Sequence, residues 1–115
     1  MRYLVLVVDD EQLIRDVLAD VLLDEGFRVL CAEDGQAALD LAETEHPDLV
    51  VSDVHMPRMD GITLVESLRE RGRTVPVILI SALYAGVDVP GVRFLPEPFD
   101  LDHVVGSVER SLGAG

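Results

Sequence analysis

The chain has no lysine, no tryptophan and a single cysteine. A lone cysteine excludes an intrachain disulfide, and with it the small disulfide-stapled folds. Its setting, Arg28-Val29-Leu30-Cys31-Ala32, predicts a buried, inert thiol in a strand. Positive charge is also scarce: nine arginines face 22 acidic residues, for a net charge of −13. Nucleic-acid phosphates and anionic lipid surfaces select basic proteins, so this balance argues against direct binding to either. No apolar run approaches the length of a membrane span. The N-terminal apolar run is too short for a signal peptide and meets acid at once. The expected compartment is therefore the cytoplasm. His46, His55 and His103 lack the spacing of zinc ligands. Aromatic residues are only 4% of the chain, so Val, Leu, Ile and Ala must supply the packing. With 115 residues, 49% of them hydrophobic, residues 1–115 are expected to form one domain with a real core.

What the sequence does have is a set of apolar runs that end in acid or hydroxyl. Tyr3-Leu4-Val5-Leu6-Val7-Val8 leads into Asp9-Asp10-Glu11, Leu49-Val50-Val51-Ser52 into Asp53, and Val77-Ile78-Leu79-Ile80 into Ser81. Continuous apolar runs of this length read as strands buried on both faces, as in a parallel sheet covered by helices. Parallel strands end on one edge, so Asp9, Asp10, Asp53 and Ser81 are expected to meet there, where open α/β sheets place their sites. Clustered carboxylates raise one another's pKa unless a cation joins them. A hard divalent ion with oxygen ligands, most simply Mg2+, is the natural partner.

Between the strands the apolar period changes to that of helices. Leu13, Val17 and Val21 fall four apart, as do Ile14, Leu18 and Leu22, predicting one broad inner face from Gln12 to Glu25. Asp10 suits capping that helix. Phe27 to Ala32 reads as the second strand. Gly35 to Glu45 reads as a helix with Ala38, Leu41 and Ala42 inward, and a third helix turns Leu64, Val65 and Leu68 inward. Arg93-Phe94-Leu95 reads as a fifth strand. Asp100 is placed to cap a last helix carrying Leu101, Val104, Val105, Val108 and Leu112 on one face. Ala82 to Gly91 shows little periodicity and predicts at most one loose turn.

These residues resemble the receiver domain of bacterial response regulators, the phosphoacceptor half of two-component signalling. The resemblance rests on Val8-Asp9-Asp10, on Asp53 with Met56-Pro57-Arg58-Met59-Asp60-Gly61 after it, on Ser81-Ala82, and on Pro96-Glu97-Pro98-Phe99. It implies a flavodoxin-like, doubly wound, five-stranded parallel sheet in the order 2-1-3-4-5. It implies that Asp53 takes phosphoryl from a phosphohistidine of a sensor histidine kinase or phosphotransfer protein. Asp9, Asp10, Asp53 and the backbone carbonyl of His55 would hold Mg2+. Ser81 would donate its hydroxyl to a phosphoryl oxygen, and Phe94 would answer by packing, having no phenol. Such a domain is not a conventional enzyme: it assists its own phosphorylation and dephosphorylation, then signals to a downstream protein or output domain.

Two departures stand out. Glu97 occupies the place of the family's lysine, where it either swings outward or stays near the pocket and repels the phosphoryl group. Arg58 offers a substitute cation, although its loop setting predicts a solvated residue. The interval from Ser81 to Glu97 is shorter than in familiar members by more than a helical turn, so the fourth helix is expected to be short or missing. A degenerate receiver that binds a partner without phosphorylation is the alternative reading. A flavin protein needs a phosphate-cradling loop where Asp9-Asp10-Glu11 stands, and an aspartate-nucleophile phosphatase needs Asp-x-Asp after the first strand. Neither pattern is present.

Overall fold

The fold is seen in a computed structural model that describes residues 2–81 and 90–113. Strands β1 (Leu4–Val8), β2 (Arg28–Ala32), β3 (Leu49–Asp53), β4 (Val77–Ser81) and β5 (Val92–Pro96) are joined by helices α1 (Gln12–Asp24), α2 (Gly35–Glu45) and α3 (Gly61–Glu70). Helix α4 (Leu101–Ser111) follows β5. All strand pairings are parallel, in the order β2-β1-β3-β4-β5. This is the flavodoxin-like arrangement expected. The helix expected to be shortened or missing falls within residues 82–89, outside the described residues.

The period of two along each strand splits the core between the two faces of the sheet. Leu6, Val8, Val50, Val77 and Leu79 pack with Ala38, Leu39 and Ala42 of α2 and Leu64, Val65 and Leu68 of α3. Val5, Val7, Leu49, Val51, Ile78 and Ile80 pack on the other face with Leu18 and Leu22 of α1 and Val104 and Val108 of α4. Burial on both faces is why β1 and β4 are apolar without interruption.

Several expectations need correction. Leu13 and Val17 are 77% and 43% exposed, so α1 buries the Leu18–Leu22 line, half-buries Val21 and leaves Leu13 and Val17 open. One helix carries more apolar surface than one flank of a sheet can cover. In α2, Leu39 is fully buried and Leu41 only partly so, and Leu101 of α4 is exposed. Cys31 is exposed on β2, which is an edge strand of the sheet. Partial burial still holds its thiol above the usual range. Glu11, not Asp10, is the N-cap of α1, and no side chain caps it. Asp34, Asp60 and Asp100 cap α2, α3 and α4 by accepting the amides of Ala37, Thr63 and Asp102.

Candidate functional site

The register brings the strand ends level. Val8 lies opposite Ser52, Asp53 opposite Ile80, and Ser81 opposite Pro96. Backbone bonds continue past the strands: the amide of Val54 donates to the Ile80 carbonyl at 3.0 Å, and that of Glu97 to the Ser81 carbonyl at 3.1 Å. Asp9, Asp10, Asp53, Ser81 and Glu97 therefore share one edge of the sheet, as the sequence implied for the first four.

Asp9 is buried, Asp53 half-buried and Asp10 exposed. One carboxylate oxygen from each lies within 4.8 Å of the others. Burial pushes the Asp9 carboxyl up to about 6, aided by the negative charges of Asp53, Asp10 and Glu11 and opposed by the Glu11 amide, which donates to Asp9 Oδ1 at 2.9 Å. Burial likewise raises the Asp53 carboxyl, against the His55 amide that donates to Asp53 Oδ1 at 3.1 Å. Three carboxyls this close together, Asp9 and Asp53 among them held above the ordinary range, form a good oxygen donor set for a hard dication, which would relieve the repulsion. The donors present fit Mg2+.

The surrounding chain fixes this geometry. The Arg15 guanidinium donates to the Asp9 carbonyl at 2.7 Å, tying α1 to the end of β1. Gly61 opens α3 with its amide on the Val54 carbonyl at 2.8 Å. Arg58, at φ +68°, donates to Asp34 Oδ2 at 2.8 Å, so this cation serves the cap of α2. Glu97 lies on the exposed rim, preceding a cis bond to Pro98. Its carboxyl is raised by partial burial first and by the charge of Asp53 next. The Glu97 amide on the Ser81 carbonyl holds this residue's backbone at the acidic edge. Phe94 is half-buried and packs against the core beneath α2 and α3.

The resemblance assigns His55 a role through its carbonyl alone, yet its ring Nε2 is 3.5 Å from Ser81 Oγ. Position two residues beyond a strand-end aspartate was the available signal, and a loop side chain's direction cannot be read from spacing.

Comparison with known proteins agrees with this geometry. The family model of the response regulator receiver domain matches residues 5–108. Response regulator MprA of Mycolicibacterium vanbaalenii is 37% identical over 114 residues, covering 94% of this chain and 49% of the relative. Regulatory protein AtoC of Escherichia coli is 39% identical over 115 residues, covering 94% of this chain and 25% of the relative. The chain thus spans half or less of these relatives' length. The receiver domain of the hybrid histidine kinase CckA superposes with a TM-score of 0.84 at 40% identity, covering 95% of this chain and 98% of that one. The chemotaxis response regulator CheY4 of Vibrio cholerae gives 0.89 at 29% identity, covering 97% and 100%. With the sheet order, the acidic edge and these matches in agreement, the chain belongs to the response regulator receiver domain family.

Proposed function

We propose that this chain is a phosphoacceptor switch of a two-component phosphorelay, taking phosphoryl onto Asp53 from a phosphohistidine of a sensor histidine kinase or phosphotransfer protein. The observation that carries this reading is the meeting of Asp9, Asp10 and Asp53 oxygens within 4.8 Å at the end of a central strand. In the transfer, an Asp53 carboxylate oxygen forms the new bond to phosphorus. The bond from phosphorus to the donor's imidazole nitrogen breaks, and its electron pair stays on that nitrogen. Asp9, Asp10, Asp53 and the His55 carbonyl would hold Mg2+, which when bound neutralises charge on the phosphoryl group and the attacking carboxylate. Ser81, buried at the end of β4, offers its hydroxyl to a phosphoryl oxygen. Its carbonyl already binds the Glu97 amide, so a shift there is passed to the β5 end and to Phe94.

The open Leu13–Val17 line adjoins the acidic edge through the short Asp9–Glu11 turn and suits an apolar face of the donor protein. A downstream protein or output domain would read the result. No helix among the described residues is long and apolar enough to cross a membrane, and a cytoplasmic location fits the reading. The domain assists its own phosphorylation and dephosphorylation and has no other substrate in this proposal.

The test is mass spectrometry after incubation with acetyl phosphate and Mg2+. The expected result is one phosphoryl group on Asp53, absent in Asp53→Asn. A protein that never labels, even with excess donor, would instead be a phosphorylation-independent binding module.

A further inference from the structure

The pocket poses an electrostatic problem. A phosphoryl group on Asp53 would stand among the carboxylates of Asp9, Asp10 and Glu97. A dication answers this on one side only, and the remaining phosphoryl oxygens need donors. Among the described residues, the two arginines near this edge are committed elsewhere: Arg15 to the Asp9 carbonyl and Arg58 to Asp34.

His55 is differently placed. Its amide holds Asp53 Oδ1 at 3.1 Å, and its ring Nε2 comes to 3.5 Å from Ser81 Oγ. Backbone and ring thus bracket the space between acceptor carboxylate and hydroxyl, the space a phosphoryl group on Asp53 must enter. We propose that the His55 imidazole is a further catalytic residue, whose Nε2–H donates to a phosphoryl oxygen beside the Ser81 hydroxyl. This rests on the reading of Asp53 as phosphoacceptor. An N–H at Nε2 is present in imidazolium and in one neutral tautomer, so the contact needs no particular charge state. The ring thereby supplies a nitrogen donor at a pocket where Glu97 supplies none.

The test compares the parent with His55→Ala and His55→Gln, the latter keeping an N–H donor without the ring. All three retain the residue-55 carbonyl. Labelling rates with acetyl phosphate, trifluoroberyllate affinity, Mg2+ affinity and melting temperature are measured for each. A hydrogen bond to a charged group predicts about tenfold slower labelling and about tenfold weaker trifluoroberyllate binding in His55→Ala, with His55→Gln within about threefold of the parent. Any change in Mg2+ affinity should be smaller than the loss in labelling, because residue 55 would meet the metal through its backbone carbonyl alone; a metal-affinity loss as large as the labelling loss would overturn the side-chain role. In the parent, the His55 ring nitrogen resonances should shift on adding trifluoroberyllate, as its proton enters a new bond. Labelling and mimic binding in His55→Ala equal to the parent, or ring resonances that do not move, would overturn the role of His55 alone. Equal losses in the alanine and glutamine variants would overturn the donor assignment. A parent that neither labels nor binds the mimic would overturn the phosphoacceptor reading, and this inference with it.

Discussion

A Cβ added to Gly61 would stand 2.6 Å from the carbonyl oxygen of Asp53 and 2.9 Å from a Leu79 methyl. The first turn of α3 is thus pressed against the backbone of the candidate acceptor. Gly26 and Gly72 differ: they are used for positive φ and have open space around them. Gly61→Ala should lower the unfolding free energy by about 1–3 kcal/mol through overpacking, despite alanine's better helix propensity. Urea denaturation measures it. A neutral or stabilising result would show that α3 can retreat from β3 without cost.

Stability should depend on pH through Asp9. Its folded carboxyl is raised from the ordinary 3.8 to about 6. Between those values the folded state binds a proton that the unfolded state has released, so stability should fall as pH rises from about 4 to about 6. The size is on the order of 1–3 kcal/mol. Metal-free protein and metal-free Asp9→Asn, compared by denaturation at about pH 3.5 and about pH 7, should differ in slope. Parallel stability curves would refute the burial effect on Asp9.

Mg2+ should remove that penalty. Binding to the folded state alone adds about 2.7 kcal/mol at a concentration of about 100 times Kd, visible as a higher melting temperature that a chelator reverses. Asp10 is exposed, so Asp10→Asn should leave the metal-free protein folded while blunting the response. If millimolar Mg2+ leaves wild-type melting unchanged, the three carboxylates are not a metal site of useful affinity.

Glu97 adds a carboxyl to the sheet edge that carries Asp53. Glu97→Lys should strengthen the structural response to trifluoroberyllate more than it speeds labelling, because the metal, if bound, already neutralises the reacting atoms. Chemical-shift changes at Ser81 and Phe94, set against labelling rates in both proteins, make the comparison. A variant that labels much faster yet shifts no further would reverse this division.

Much of this was legible in the sequence. The runs before Asp9 and Ser81 carry no polar interruption, and the run before Asp53 only Ser52, because both faces of β1, β3 and β4 meet helices, and that pattern alone puts three strand ends together. The caps at Asp34, Asp60 and Asp100 are local bonds within the first turn of each helix, the kind of signal that sequence carries directly. What escaped depends on which neighbour covers which flank. Leu13 has the same local pattern as Ile14, and only the seating of α1 on the sheet leaves it in solvent. Cys31 reads like any strand residue until β2 is known to be an edge. The His55 ring and the Glu97 carboxyl lie in loops, where periodicity carries no direction.

The position of β3 has a last consequence. It is the middle strand, bonded to β1 on one side and β4 on the other, and its residues Leu49 to Val51 are fully enclosed. Amides there should exchange with solvent only when the whole domain opens, whereas those of the edge strands can exchange by local fraying. The candidate acceptor is therefore anchored in the part of the molecule least able to move. A chemical event at Asp53 cannot be absorbed by its own strand. If Asp53 accepts phosphoryl as proposed, the Ser81 carbonyl and the Glu97 amide bound to it offer a route outward to the β5 edge, and a fixed point of attachment would become displacement at the rim.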